Sequence, residues 1–217
     1  LDGHAALVPG RRARITGTGG RSVTMLLRAH ANAVAVGAAT VAVDDPALTL
    51  RGEDEDRTPR RRLRVVLSRT TVPSAACRLA TDGQSPALLV VGEGADEGEL
   101  GHLADCGVDI ATYPLARGIG AALSAVGQRG IDDLLVEAGP RLLTSLYDAG
   151  CIDELICVHA GGMAGGQSPA LYLGTHGGSG DVLPRPLEAI ESAVVDGDAV
   201  TVWRPRATLS GTHAATA

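Results

Sequence analysis

The chain contains no lysine and no phenylalanine, so all 19 of its basic residues are arginines. Without a lysine amine there is no internal Schiff base, which excludes pyridoxal phosphate chemistry, and no Walker P-loop, whose lysine must reach the β/γ-phosphates. Aromatic residues are nearly absent as well. Tyr113, Tyr147, Tyr172 and Trp203 are the whole set in 217 residues, too scattered to make a stacking platform for single-stranded nucleic acid. Positive charge is in deficit, with 25 acidic against 19 basic residues and a formal net charge of −6, whereas a general nucleic-acid binder presents a broad basic face. No nucleic-acid partner is expected. Cys77, Cys106, Cys151 and Cys157 include no C-x-x-C pair and have no histidine at zinc-ligand spacing. Neither a metal site nor a disulfide framework is expected, and a reducing cytoplasm suits such thiols. Long hydrophobic runs are missing too: the longest apolar stretch, Ala33 to Val43, falls far short of the roughly 20 residues a membrane helix requires. The start, LDGHAALVPGRRAR, has no apolar signal region and begins with Leu1. It reads as a trimmed chain or one half of something longer.

What is present describes a globular domain. Hydrophobic residues make up 45% and charged residues 20%, a balance that supports a core of its own. One domain over 1–206 with a flexible tail over 207–217 is the expectation. Short apolar, β-rich runs recur: AVAV (33–36), LRVVL (63–67), ALLVV (87–91), VDIAT (108–112), DLLVE (133–137) and ELICV (154–158). These read as buried strands. Helix-length patterns fall at Arg21 to Ala31, Glu97 to Cys106, Ile119 to Arg129 and Pro140 to Ala149, the last opening on a proline suited to the first helical position. Such alternation implies a three-layer α/β/α fold around a mainly parallel sheet. After Pro186 two alternating runs meet at Asp196-Gly197, the signature of a β-hairpin that adds antiparallel strands and makes the sheet mixed. RGEDEDRTPRRRLR (51–64), acidic then basic, reads as a solvated connection, and the glycine-rich stretch at 161–180 as loop.

Four segments could carry chemistry. GEGADEG (92–98) looks superficially like a dinucleotide-binding turn, but its spacing is G-x-G-x-x-x-G and its carboxylates would repel a pyrophosphate. It reads as an ordinary turn, and GTGGRS (17–22), with no strong strand before it, carries no more weight. VEAGPRLL (136–143) is better placed: a strand ends near Glu137, two small residues allow close approach, and Pro140 opens a helix whose free N–H groups could bind an anion. Packing at a helix start explains the same residues, and both readings stand. VGAATVAVDDPALTLR (36–51) leads from a strand end through Thr40 and Asp44-Asp45-Pro46 to Arg51, either a turn or part of a site. Arg28, on the preceding helix, has the plain reading of a surface residue.

LDG at the start, ITG (15–17), LLRA (26–29), VGAATVAVDDPALTLRG (36–52), RVVL (64–67), VEAGPRLL (136–143) and AGCIDELICV (149–158) together resemble the pyrimidine reductase family of riboflavin biosynthesis. That family is the reductase half of a bifunctional deaminase/reductase, within the dihydrofolate reductase-like superfamily, and the likeness covers nearly the whole chain in order and spacing. The resemblance implies NADPH as cofactor and a phosphorylated ribosylamino pyrimidine as substrate, reduced to its ribitylamino product by hydride delivery to C1′. It places Thr40 and Asp44 beside the nicotinamide, and Gly139, Pro140, Arg141, Leu142, Leu143, Thr144 and Ser145 on the cofactor phosphates. It places Arg28, Leu48 and Arg51 on the substrate and its phosphate, and Glu137 on the pyrimidine ring. Asp44 is the first candidate proton donor and Glu137 the next. A homodimer is also implied.

Two departures stand out. Arg12 and Arg14 replace the small polar and aromatic residues usual before I-T, and either contact a phosphate or are surface charges. Ser68 and Arg69 replace the usual Asp and small residue after RVVL, and Arg69 could read the cofactor's 2′-phosphate. The H-x-E and P-C-x-x-C deaminase signature is absent from these residues, so deamination falls to another chain or to a missing N-terminal half. The undeaminated diaminopyrimidine, a pterin-like ring, or a non-catalytic ligand-binding role are the alternatives.

Overall fold

The computed structural model describes residues 3–5, 10–11, 15–50, 62–165, 168, 170–173 and 186–206. Arg12, Arg14, Arg51 and the 207–217 tail lie outside the described residues. In chain order the elements are α1 (Thr18–His30), β1 (Ala33–Gly37), α2 (Ala38–Asp44), β2 (Leu63–Ser68), α3 (Arg78–Thr81), β3 (Ala87–Gly92), α4 (Glu97–Asp105) and β4 (Asp109–Tyr113). A 3₁₀ turn (Leu115–Arg117) follows, then α5 (Gly118–Gly127), β5 (Leu134–Val136), α6 (Pro140–Asp148), β6 (Leu155–His159), β7 (Leu187–Val195) and β8 (Asp198–Pro205).

Strands β4, β3, β2, β1 and β5 pair in that order, all parallel. Their continuous apolar character follows from burial on both faces: Val34 and Val36 point to one side, Ala33 and Ala35 to the other, and all four are at most 1% exposed. From β1 to β4 the chain steps always toward the same edge. Right-handed crossovers then put the connecting helices on one face, and Val41 of α2, Leu79 of α3 and Leu103 of α4 share a core with Val34, Val66 and Leu89. The step from β4 to β5 returns across the whole sheet. Its helix α5 accordingly covers the other face, where Ala122 and Val126 pack with Ala35, Val65 and Leu88. The three-layer α/β/α expectation holds, and the order reverses between β1 and β5.

The antiparallel strands form a second sheet, ordered β6, β8, β7. The single mixed sheet expected from sequence is therefore divided in two, because β6 pairs with β8 instead of extending the parallel set. Its residues are half-buried, not buried. The hairpin turn is where the sequence puts it: Asp196 and Gly197 both have positive φ, 45° and 87°, the mirror-image turn that matches strand twist.

The structure defines three segments more closely, and one of them departs from its reading. The Ala33–Val43 run breaks at Gly37 into a strand and a helix. The basic end of the 51–64 segment is not a solvated connection: Arg64 is 1% exposed in β2, and Arg62 donates to the carbonyls of Ala29 and Ala31, so these arginines close the ends of buried elements. The GTGGRS glycines serve packing. A Cβ on Gly19 would lie 1.8 Å from the Val195 carbonyl oxygen, and Asp198 Oδ2 accepts from the amides of Gly17 and Gly20 at 2.8 Å each. A carboxylate from β8 thus fills the anion position at the start of α1.

Candidate active site

In open parallel sheets ligands bind outside the carboxyl ends of the strands where strand order reverses. Here that point lies between Gly37 and Val136, and a cleft of about 260 Å³ opens there. Val36 forms part of its floor, α1 contributes Arg21, Met25 and Arg28, and the remaining wall comes from α2, the loop after it, Arg78 and Glu137.

Helix α2 is what makes Thr40 and Asp44 act together. They stand four apart, so they share a helical face and both line the cleft, while Ala38 and Val41 on the opposite face are buried in the core. Asp45 ends the helix at φ 41°, and its Oδ1 accepts the Arg78 amide at 2.8 Å. Both aspartates line the cleft, and Asp45 is also tied to the start of α3.

Arg28 is buried at 8% exposure, not a surface residue. Its Nε and Nη2 donate to Glu137 Oε1 and Oε2 at 2.6 and 2.8 Å, and Nη1 donates to the Thr49 carbonyl at 2.9 Å. Planar fork-to-fork pairing of this kind fixes orientation as well as charge. Glu137 remains about a quarter exposed, open to the cleft, and its own amide continues the β5 ladder to Ala35 at 2.8 Å. Leu48, 2% exposed, sits at φ 54°, a left-handed backbone that a branched side chain adopts only when its neighbours enforce it. The carbonyls on either side of it are both held by buried arginines: Thr49 by Arg28 and Ala47 by Arg64.

The start of α6 stands beside Thr40, next to the cleft and outside its lining. Gly139 is its N-cap with no side-chain cap, Pro140 occupies the first turn, and a Cβ on Gly139 would stand 3.8 Å from Thr40 Oγ1. Amides in the first turn of an uncapped helix are suited to an anion. Leu143 is buried in the core and Leu142 packs with the α5 side, so these two can offer backbone only. Thr144 and Ser145 donate their hydroxyl protons to the carbonyls of Pro140 and Arg141 at 2.8 and 3.0 Å, and Thr144 Oγ1 accepts from the Leu173 amide at 2.9 Å. Arg141 is exposed at the helix start.

Arg69 lies at the carboxyl edge of β2, exposed and away from the cleft lining. Its neighbour is Tyr113: burial pushes the Tyr113 hydroxyl up from its ordinary range while the Arg69 guanidinium pulls it partly back. Among the described residues no group of three or more His, Cys, Asp or Glu side chains could hold a metal ion, and no helix is long and apolar enough to cross a membrane.

The model of the RibD C-terminal domain family matches residues 1–183. The chain belongs to the RibD C-terminal domain family. A riboflavin biosynthesis protein RibD from Bacillus amyloliquefaciens is 33% identical over 177 residues, covering 80% of this chain and 47% of that protein. The Escherichia coli RibD is 29% identical over 184 residues, 79% of this chain and 48% of its own length. The chain thus spans about half the length of the curated relatives it matches. Among solved structures, Acinetobacter baumannii RibD superposes with a TM-score of 0.78 at 25% identity, over 95% of this chain and 55% of that one. A Thermotoga maritima protein described as a diaminohydroxyphosphoribosylaminopyrimidine deaminase/5-amino-6-(5-phosphoribosylamino)uracil reductase gives 0.74, also at 25% identity, over 95% and 54%.

In this RibD-type domain the structure brings Arg28, Thr40, Asp44, Leu48 and Glu137 to one cleft and sets Gly139 at its edge. It leaves Arg69 outside. Sequence reasoning missed Arg21, Met25 and Arg78 as cleft residues and Arg64 as a brace. Arg21, Met25 and Arg28 carried a usable signal, since steps of four and three mark one face of a helix, whereas Arg78 and Arg64 reach their places only through tertiary packing.

Proposed function

We propose that the chain is an NADPH-dependent reductase of 5-amino-6-(5-phosphoribosylamino)uracil in riboflavin biosynthesis, yielding the ribitylamino product. The observation that carries this reading is the convergence of Asp44, Thr40 and the Arg28-held Glu137 with an uncapped helix start at the strand-order reversal, in a chain of the RibD C-terminal domain family. The residues fit a nicotinamide dinucleotide phosphate. The α6 amides can take its phosphates, with Gly139 and Pro140 leaving room for close approach, and Thr40 borders the place where the nicotinamide would lie. When bound, NADPH supplies a hydride to C1′ of the ribose.

Glu137 orients the pyrimidine by accepting from its ring N–H groups, and Arg28 holds that carboxylate in position and aimed into the cleft. Leu48, its side chain buried in the core, meets the substrate and its phosphate through its backbone. Ring opening at the ribose leaves an oxygen that needs a proton, and Asp44 supplies it directly or through water. Arg51 and Arg12 belong to the substrate side of the reading, Arg69 to the 2′-phosphate. The reading also includes a homodimer in the cytoplasm and a deaminase provided elsewhere.

The test is NADPH oxidation at 340 nm with the deaminated and the undeaminated ribosylamino pyrimidine phosphates offered separately. Turnover of the deaminated compound alone supports the proposal. Turnover of the undeaminated one moves the enzyme a step earlier, and no turnover despite NADPH binding overturns the reductase reading for these substrates. Asp44→Asn is expected to lower turnover sharply with NADPH binding retained, and Arg69→Ala to weaken NADPH far more than NADH.

A further inference from the structure

Helix α1 gives the cleft Arg21, Met25 and Arg28, yet among the described residues none of its side chains belongs to either apolar cluster packed on the parallel sheet. Its buried residues are Gly19, Gly20 and Arg28, which lie toward its two ends. The carboxyl end is tied by polar contacts: Arg28 to Glu137 and the Thr49 carbonyl, and Arg62 to the Ala29 and Ala31 carbonyls. The amino end has no comparable tie of its own. Gly17 at the N-cap has no side chain to offer, and the first turn contains no acidic residue.

That end is held from β8 instead. Asp198 is 5% exposed, and its Oδ2 accepts from the amides of Gly17 and Gly20 at 2.8 Å each. These are the N-cap and N3 donors, which in a capping box are satisfied by two side chains of the helix itself. Here one carboxylate 178 residues beyond Gly20 takes both. The glycines permit the approach: a Cβ on Gly19 would meet the Val195 carbonyl oxygen at 1.8 Å, and one on Gly17 would stand 3.4 Å from Asp198 Oδ2. The β7–β8 hairpin and α1 therefore meet with no side chain of Gly19 between them. A helix fixed mainly at its ends can swing about one tie when the other is released. Arg21 follows Gly20 directly, so a swing about the Arg28 tie displaces it more than Met25. We infer that Asp198, which lies outside the cleft lining, is a positioning residue that fixes the amino end of α1 and so sets the Arg21 and Met25 wall of the cleft. The inference rests on the proposed reductase reading for what that wall does: α1 borders the substrate side, and α6 the cofactor side.

Asp198→Ala, Asp198→Asn and Gly19→Ala test this. The asparagine keeps an acceptor oxygen for the two amides, whereas Gly19→Ala leaves Asp198 intact and drives the hairpin away from α1. Thermal melting sets a temperature at which each variant is folded. There, kcat/KM for the pyrimidine substrate, the dissociation constant for NADPH and amide hydrogen exchange in α1 peptides are measured. Asp198→Ala and Gly19→Ala are expected to lower kcat/KM roughly tenfold to a hundredfold, the range for a small misplacement at a site. NADPH binding is expected to stay unchanged, and exchange to quicken along α1 as far as Met25. Asp198→Asn is expected to stay within about threefold of the parent, since Asn and Asp cap helices about equally well. A purely local cap would lower the melting temperature and quicken exchange at Thr18 to Arg21 alone, with kcat/KM unchanged, and that result would overturn the inference. An equal loss of NADPH binding would overturn it too, since the whole cleft would then have loosened. Should Asp198→Ala not fold, Gly19→Ala decides. If the parent reduces neither pyrimidine, the reductase reading falls and exchange alone decides: quickening that reaches Met25 upholds the positioning of the wall, and quickening confined to the first turn overturns it.

Discussion

Arg28 and Arg64 are both buried, both pair with a carboxylate, and each holds a carbonyl beside Leu48, but only one of them looks into the cleft. Arg64 is 1% exposed, its Nη1 lies 2.9 Å from both oxygens of Asp82, and it also donates to the carbonyls of Ala47, Leu79 and Ser85. Its partner Asp82 is 11% exposed, while Glu137, the partner of Arg28, is 27% exposed. The difference separates two jobs for one chemical motif. A pair closed off on all sides can only brace the backbone, whereas a pair with one open oxygen face can also present an aimed carboxylate to a ligand. Leu48 in its left-handed conformation is the product of both: the inner arginine fixes the carbonyl before it and the cleft arginine the carbonyl after it.

Breaking the inner pair should have the largest effect. Arg64→Met strands Asp82 and leaves three buried carbonyls without a donor, and losing one partner of a buried pair costs about 3–5 kcal/mol. Urea denaturation should show that loss, and a cost below about 1 kcal/mol would mean that the brace is dispensable. Glu137→Gln is expected to cost less in stability, about 1–3 kcal/mol as a charged hydrogen bond is replaced by a neutral one, yet to lower turnover at least about tenfold. Full stability loss with unchanged turnover would make the two pairs equivalent and erase the distinction. Arg204 and Glu154 provide the exposed reference, at 2.9 Å but with both side chains open to solvent. Arg204→Ala should therefore change stability by no more than about 1 kcal/mol, and less as salt is raised.

The smallest effect at neutral pH is expected at Tyr172, whose hydroxyl donates to Asp148 and whose pKa is pushed up from 10.0 to about 12, first by that hydrogen bond. The unfolded chain loses this proton near pH 10 and the folded chain keeps it until about 12. The contribution is thus present below pH 10 and is lost as pH rises toward 12. Tyr172→Phe should make the fall in melting temperature between pH 9 and pH 11 shallower. Tyr113, also raised by burial, leaves a residual slope.

Much of the fold was legible because it rests on local rules. The strands of the parallel sheet show as short apolar runs, Pro140 marks the start of α6, and Asp196-Gly197 supplies the two positive φ values a tight hairpin needs. Glu137 and Asp44 could be singled out by position at strand and turn ends. Helix α2 was not legible, since an unbroken apolar run from Ala33 to Val43 has no periodicity to divide strand from helix. Arg64 was misread because the sequence shows a charge in a basic block, not the five acceptors that surround it.

The sequence by itself determined the order of the strands and of the four longer helices, the hairpin, the glycine-proline start of α6 and the set of residue types available to the cleft. These depend on side-chain period and backbone preference within a few residues. The tertiary structure alone decided which charges meet: Arg28 with Glu137 across 109 residues, and Asp198 with Gly17 and Gly20 across 181 and 178. It also set Arg21 and Arg78 at the cleft with no partner among the described residues. Electrostatic pairing depends on distance in space and on burial, and neither is written in the chain until the reversal of strand order between β1 and β5 brings its distant parts together.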